Sequence, residues 1–460
     1  MLNIPDYFLT ILKLINEKKL ISIFAIRVLF IYSSILYNGY GYIGQIKNSD
    51  DYRCVLGLNL DENEIDLYLE HICLFGLSLL NETFNSKELY DKIVKINDEL
   101  IINESYTDFK EKYTDQLAQI EIEIYDYYIL RDSDSWRDAN EQISITNYNN
   151  KINLIGETLW EKINLNKWTL NQDQIIIGGN WGKLKGLIDK NILDQIENSF
   201  ITEYNEVDLV YEHNNILDSS IKYSINELIE SEFWLDIVNN FTISGFYNYL
   251  LINYFKNNLI DVISQIKIFH ILNSSFFQTS IIVWKIKYDI EDPRPLQIIR
   301  GSQLSLPLNY YFGESNSDSW LPFINFDIEL PSCPDFPSDI SAISSTGSFI
   351  LSLFLSENIN NLDIKINLEF LNNKLDNQDN QDNQYNQELN LELLKIPKKY
   401  SKIIKNNPLN DIIIKNNTWD DLAKNISNSV VVSGLSTNFS SMNGYKIGIE
   451  IGKVIYEYFT

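Results

Sequence analysis

Apolar residues recur at three- and four-residue spacing along most of this 460-residue chain, and that spacing is the pattern of amphipathic helices. It is clearest over residues 88–101, 224–241, 261–288 and 444–459. Alternation with period two is rare, and only QIIIGG at 174–179 resembles a short strand. The sequence therefore predicts an all-α fold, built as a large domain of packed helical bundles.

Two stretches interrupt the helical pattern. Residues 289–339 collect most of the prolines, in DPRP, SLPL, WLPF and PSCPDFP, and each proline removes a backbone donor and restricts the residue before it. This stretch is predicted to be a long loop without helix. The triplet-like run LDNQDNQDNQYNQEL at 375–389 has little apolar surface to bury, which predicts a solvated insertion. No other linker is evident, so we predict a single domain over 1–460, with the chemical motifs in 261–460.

The charge and the cysteine pattern exclude several classes of partner and site. The net charge of -26 disfavours binding to nucleic-acid phosphates or to an anionic membrane surface. The apolar segment 21–37 contains Arg27 and several serines, which favours a buried helix over a membrane span. Three widely spaced cysteines predict neither disulfides nor a zinc site, and the N-terminus does not resemble a secretory signal. We therefore expect an intracellular protein with no membrane span.

Histidine is scarce, with only three in the chain, so any mechanism that needs an imidazole must use one of them. His270 lies in a strongly apolar helical segment, which predicts a buried and hydrogen-bonded side chain. His71 is predicted to flank the core on a helix, and His213 to lie at the surface. The many carboxylates show no metal-binding spacing such as an EF-hand loop, so we predict no metal site.

Three separated segments carry the residues that suggest a chemistry. WKIKYDIEDPRPLQIIR (284–300) places Lys287 seven residues before Arg294, and such a pair of cations can neutralise a tetrahedral oxyanion. WLPFINFDIELPSCPDFPS (320–338) ends on Ser338, where a helix is predicted to begin. TWDDLAKNISNSVVVSGLSTNFSSMNGYKIGIEIG (418–452) then leads into a helix with glycines at every fourth position.

In this order, the three segments resemble those of the vanadium-dependent haloperoxidases and the related type 2 phosphatidic acid phosphatases. The site of that family combines a Lys and an Arg seven apart, a Pro-Ser-Gly-His segment that opens a helix, and a Ser-Arg segment that leads to a second histidine. The resemblance implies an anion-binding remnant made of Lys287, Arg294 and Ser338.

The resemblance also places four departures at the family's site. Asp339 and Ile340 stand where the family has Gly-His, so a carboxylate would face a bound oxyanion and the acid-base histidine is absent. Val430 stands in the position of the second anion-binding arginine. Ser436 stands in the position of the histidine that ligates vanadium or attacks phosphorus, and a serine needs a base to become a nucleophile. No catalytic residue is predicted.

The resemblance extends, with weaker motifs, into the first half of the chain. FAIRVLFIYSSILYNGY (24–40) resembles an early helix of the family, with Asn38 in place of an aspartate. NKWTL (166–170) and NWGKLKGL (180–187) resemble segments that bring tryptophans near the site. The likeness therefore spans roughly residues 20–457.

A pocket that has lost this many groups is expected to be closed by its own residues. We expect Lys287 and Arg294 to pair with neighbouring carboxylates, the candidates being Asp289, Glu291, Asp292 and Asp339. Ser338 or Asp339 is expected to act as the N-cap of a helix over 340–355, because short polar side chains accept hydrogen bonds from the first-turn backbone.

These features predict a catalytically inactive protein with a structural or partner-binding role and no cofactor. The alternative is an active or residual oxyanion-binding enzyme, a haloperoxidase or a phosphatase with a rebuilt site, and only that alternative would bind vanadate or phosphate. The protein partner is not identified by the sequence. Self-association is expected only by analogy with the family.

Overall fold

Residues whose placement the computed structural model describes are 2–43, 58, 60–132, 134, 136, 177–205, 211–212, 215–216, 223–240, 242–301, 322, 331–355, 364–366, 412–414 and 416–460. The low-complexity run 375–389, the segment 166–170 and His213 lie outside this part of the chain. Residues 174–176 of the possible strand also lie outside it, and residues 177–179 are not in a strand.

Helices dominate the described residues, as the apolar periodicity predicts, and the all-α fold class is confirmed. The helices are α1 (Ile4–Glu17), α2 (Ser22–Gly41), α3 (Glu62–Phe84), α4 (Lys87–Ile102), α5 (Glu104–Lys112), α6 (Thr114–Asp132), α7 (Lys190–Asn205), α8 (Ile225–Asn240), α9 (Ile243–Asn257), α10 (Val262–Ile290), α11 (Pro295–Gly301), α12 (Asp339–Phe354), α13 (Trp419–Val432) and α14 (Asn438–Phe459). A 3-10 turn covers Trp181–Lys183, and an antiparallel pair of three-residue strands joins β1 (Ile364–Ile366) to β2 (Ile412–Ile414).

The helix α10 lies at the centre of the molecule. It packs against α2 and α1 from the first part of the chain and against α12 and α14 from the last part. On the N-terminal side, Phe269 stacks on Phe8 with ring centroids 3.7 Å apart, and Phe277 stacks on Phe30 at 4.2 Å. Most of α10 is buried, and its apolar residues are interrupted by buried polar side chains such as Asn273, which is hydrogen-bonded to Asn248.

The helices α2 and α10 are long and apolar enough to cross a membrane when length and composition alone are considered. Most of each apolar window is buried inside the protein, 83% in α2 and 94% in the window that includes α10. Such burial is what core helices of a large helical domain show. It supports the prediction of a buried helix over 21–37.

Residues 302–321 and 323–330 lie outside the described part of the chain, and in the rest of 289–339 the prediction of no helix is wrong. The short helix α11 begins at Pro295, directly after Arg294. Proline is compatible with the first turn of a helix, where its missing N–H would have no intrahelical partner. A high proline content alone therefore does not exclude a helix, because the effect of a proline depends on its position in the helical turn.

Candidate functional site

The three predicted remnant residues are brought together by two separate segments. Lys287 lies in the last turn of α10, and Arg294 lies between α10 and α11. Both side chains reach the backbone of residues 333–335, which lead directly to Ser338 at the start of α12. The fold thus gathers the first two sequence motifs into one buried cluster.

The Lys287 ammonium has two hydrogen-bond acceptors and an ion-pair partner within the protein. Its Nζ lies 3.0 Å from the carbonyl oxygen of Pro334 and 2.8 Å from that of Asp335. The Asp339 carboxylate forms an ion pair with it at 3.5 Å. Since the Lys287 side chain is fully buried, these contacts compensate for the water that it loses on folding.

The Arg294 guanidinium is saturated. Nε donates to the Cys333 carbonyl at 2.9 Å, and Nη2 lies 3.1 Å from both the Pro334 carbonyl oxygen and Cys333 Sγ. Nη1 donates to the Leu435 carbonyl at 3.1 Å and lies 3.4 Å from Asp335 Oδ1. These five acceptors match the five N–H groups that a guanidinium carries.

The Asp335 carboxylate occupies the centre of this cluster, and it is fully buried. Besides Arg294, it accepts a short hydrogen bond from the Ser436 hydroxyl through Oδ1. Its Oδ2 accepts from the backbone N–H of Thr437 at 3.0 Å. Asp335 therefore connects the segment before α12 to Arg294 and to the turn that leads into α14.

A second buried carboxylate, Asp292, stands beside the first. Its own carbonyl accepts from the Asp335 N–H at 2.9 Å, and its Oδ1 accepts from the Tyr204 hydroxyl at 2.7 Å. Burial and the nearby charge of Asp335 raise the pKa of Asp292 to about 8. Asp292 is therefore mostly protonated at neutral pH, which leaves two cations, Lys287 and Arg294, opposite two carboxylates, Asp335 and Asp339.

Ser338 acts as the N-cap of α12, as one of the two sequence alternatives predicts. Its Oγ accepts from the Ser341 N–H at 3.3 Å and from the Ser341 hydroxyl at 3.1 Å. Its own N–H donates to the Ser440 carbonyl at 3.1 Å. Asp339 begins the helix itself and pairs with Lys287, while Ile340 packs against the apolar cluster of Leu235, Val430 and Leu435.

The two positions of the third motif are buried in different environments. Val430 is 1% exposed and belongs to that apolar cluster. Ser436 is 2% exposed and faces the cluster of charges through its bond to Asp335. The third motif reaches the remnant residues through two backbone groups, because the Leu435 carbonyl accepts from Arg294 and the Ser440 carbonyl accepts from the Ser338 N–H.

Neither of the two described histidines lies in this cluster. His71 is bonded to the Tyr106 hydroxyl and to Glu121, each at 2.8 Å, between α3, α5 and α6. His270 stacks on Tyr37, four to five turns of α10 before Lys287, which is about 25 Å along the helix axis. The prediction that His270 is buried is confirmed, but the predicted hydrogen bond is wrong at Nδ1, which has no partner among the described residues.

The predicted carboxylate partners of the two cations are partly wrong. Asp339 does pair with Lys287, but Asp289 pairs with Lys285, and Asp292 bonds Tyr204. Glu291 is the left-handed C-cap of α10. The partner of Arg294 is Asp335, which the sequence interpretation did not single out. The available signal was an aspartate placed among Cys, Pro and Phe in PSCPDFPS, because a charge in an apolar run needs a buried partner.

Residues 267–460 match the family model of the VCPO second helical-bundle domain, a range that holds Lys287, Arg294, Ser338 and Ser436. This match over the later part of the chain, together with the shared fold described below, supports the vanadium haloperoxidase superfamily. This confirms the resemblance drawn from the three motifs. Sequence comparison with curated proteins gives no match.

Solved structures of vanadium haloperoxidases share the fold over nearly the whole chain. A bacterial vanadium-dependent iodoperoxidase superposes with a TM-score of 0.64 at 12% identity, covering 99% of this chain and 95% of that one. A holo-type bacterial vanadium-dependent chloroperoxidase gives 0.61 at 13% identity, covering 96% and 92%. The apo-type enzyme gives 0.61 at 12% identity, covering 95% and 93%. At such low identity, the likeness shows the fold alone.

Proposed function

We propose that this chain is a catalytically inactive member of the vanadium haloperoxidase superfamily, with a structural or partner-binding role. One observation carries the proposal: Arg294 already has five acceptors within the protein, and Lys287 has two carbonyl acceptors and an ion pair with Asp339. An oxyanion bound by these cations would have to displace carbonyl groups and carboxylates that are buried with them.

The charges of the cluster oppose the binding of an oxyanion as well. Asp335 and Asp339 balance the two cations, so an entering anion meets no net positive charge. The Asp335 carboxylate contacts the guanidinium that would have to bind the anion. The carboxylate and the anion would then lie close together in a buried site, where like charges repel strongly. The residues present therefore do not fit vanadate or phosphate, and we propose that neither is a cofactor of this protein.

The groups that would carry the chemistry are also unsuited to it. Ile340 cannot transfer a proton, although it stands where the family has an acid-base histidine. Ser436 donates its only hydroxyl proton to Asp335. These observations support a structural role, in which the residues at the position of the family's site bind one another and connect helices.

The alternative, an enzyme with a rebuilt site, has one specific observation in its favour. Ser436 and the Asp335 carboxylate form a hydroxyl–carboxylate pair at the position of the family's nucleophile, which is the arrangement of a nucleophile and a base. Against it, both oxygens of that carboxylate are already engaged, one by Arg294 and the other by the Thr437 N–H.

Purified protein assayed with vanadate, bromide and peroxide, and separately with a generic phosphomonoester, tests the proposal. We expect no turnover above a protein-free blank, either in the parent protein or in the surface variant Lys446→Ala, which removes only an exposed ion pair with Glu203. Turnover that persists in Lys446→Ala and disappears in folded Arg294→Ala or Ser436→Ala protein would show that the chain is an enzyme.

The variant His213→Ala completes this comparison. His213 is the third histidine of the chain and lies outside the described residues. An active site that recruits this imidazole would lose activity in His213→Ala. Under the proposal, the variant is as inactive as the parent protein.

A further inference from the structure

The Asp335 carboxylate is bound by three donors that come from different parts of the chain. These are the Arg294 guanidinium after α10, the Ser436 hydroxyl, and the N–H of Thr437. The three differ in chemistry, being a cation, a hydroxyl and an amide, and all of them are buried. Together they form a site built around one anion.

The position of Thr437 strengthens this site. Thr437 is the N-cap of α14, a helix of 22 residues, and its N–H points at Asp335 from the positive end of the helix dipole. A helix N-terminus combined with an arginine is the usual arrangement for binding phosphate and carboxylate groups in proteins. Here a side chain of the protein fills the place of such a ligand.

We propose that the Asp335 carboxylate is a built-in anionic ligand, which occupies the position of a bound oxyanion. Its contacts thereby hold α10, α12 and α14 together. The inference rests on the proposed loss of oxyanion binding and adds the residue that replaces the oxyanion. It follows that removal of the carboxylate exposes a latent site for a small oxyanion.

Truncation of Asp335 to alanine takes the ion-pair partner from Arg294 and the carboxylate acceptor from the Ser436 hydroxyl and the Thr437 N–H. An unpaired buried arginine is strongly destabilising, because its desolvation is no longer compensated. Formate has the atoms that the truncation removes, a carbon and two oxygens with one negative charge. Formate is therefore the probe that fits the vacated space best, and phosphate and vanadate are larger members of the same chemical class.

The experiment measures thermal unfolding of the full-length Asp335→Ala protein in sodium formate, in phosphate, in vanadate, and in sodium chloride of equal ionic strength. We expect a saturable rise of the unfolding midpoint in formate of at least about 2 °C, since a ligand that binds only the folded state stabilises it by mass action. We expect no rise for the parent protein with any of these anions.

Two variants serve as matched controls. Asp335→Asn keeps the volume and the acceptor oxygen but removes the charge, so no space opens and no response to formate is expected. Asp292→Ala removes a neighbouring carboxyl that is equally buried but bonds to Tyr204 and not to a cation. It creates a similar void without an anion site, so it too is expected not to respond.

The outcomes separate the two proposals. Equal responses of Asp335→Ala, Asp335→Asn and Asp292→Ala, or no response in any, overturn the built-in ligand and leave the proposed inactivity standing. Stabilisation of the parent protein by vanadate or phosphate overturns the proposed function and, with it, this inference. If Asp335→Ala is not recovered folded in chloride, its refolding yield in formate is compared instead, and failure to fold in both salts counts against the inference.

Discussion

At the scale of single residues, His270 is a buried base that cannot hold a proton. Its ring stacks on Tyr37 at 4.3 Å and meets Phe459 edge-on at 4.9 Å. Burial among these aromatic rings lowers the pKa of His270 to about 3. The unfolded chain takes up a proton on this imidazole below about pH 6.5, whereas the folded protein does so only at about pH 3. The free energy of unfolding therefore decreases as the pH falls between these two values.

We predict that His270→Phe removes this dependence on pH. Phenylalanine keeps the aromatic packing and eliminates the unpartnered Nδ1. Near pH 5 the variant should exceed the parent protein by about 2 kcal/mol in free energy of unfolding, with a much smaller difference near pH 8. Urea denaturation at both pH values measures the two differences. A difference that is the same at pH 5 and pH 8 would show that folding does not lower the pKa of His270.

The remnant residues show which parts of the site could be predicted from the sequence. Lys287, Arg294 and Ser338 could be predicted because their spacing and order match a known family, and the structure places them around residues 333–338. Asp335 could not be predicted in the same way, because its role depends on Ser436 and Thr437, about a hundred residues later. Only the folded chain shows which carboxylate reaches Arg294.

At the scale of elements, α12 and α14 approach closely because α14 has glycines where the two helices touch. A Cβ atom on Gly448 would overlap the Ala342 carbonyl oxygen and Ser345 Oγ. The close approach allows hydroxyl groups to reach across, as Ser345 Oγ donates to the Tyr445 carbonyl at 2.8 Å and Thr346 Oγ1 to the Gly448 carbonyl at 3.0 Å. Glycines at 444, 448 and 452 recur every four residues, which places them on the face of α14 that meets α12.

We predict that Gly448→Ala destabilises the protein while Gly452→Ala is tolerated much better. Alanine gains about 1 kcal/mol over glycine in helix propensity. At Gly448 the obstacle includes backbone, and overpacking there should cost about 3 kcal/mol, for a net loss of about 2 kcal/mol. At Gly452 the nearest atom is Phe349 Cδ1 at 2.9 Å, on a ring that can shift. Urea midpoints of both variants measure the contrast, and equal losses would contradict it.

Element boundaries were less predictable than element types. The long apolar helices were recognised from their periodicity, and a helix after Ser338 was expected because serine is a good N-cap. The helix α11 was missed, since a stretch with many prolines gives no sign of which one stands in a first turn. The pair β1–β2 could not be foreseen either, because two strands of three residues have too little pattern to detect.

At the scale of the whole molecule, the two parts of the chain share α10. Its N-terminal half packs on α1 and α2 through stacked phenylalanines, and its C-terminal end supplies Lys287 to the charged cluster with α12. The family model begins at residue 267, inside α10, although this helix is packed from both sides. The sequence motifs therefore distinguish the later part of the chain from the earlier part, although the two parts pack against each other through α10.

We predict that residues 261–460 do not fold cooperatively without the earlier part of the chain. In this fragment Phe269 and Phe277 lose Phe8 and Phe30, and the exposed apolar face of α10 costs roughly 2 kcal/mol for each large side chain. The fragment should lack a sharp thermal transition and near-ultraviolet circular dichroism. Co-expression with residues 1–260 should restore both signals, because it returns the missing packing partners. A sharp transition of the fragment alone would instead mean that the later helices form an independent domain, and that α1 and α2 are only docked onto it.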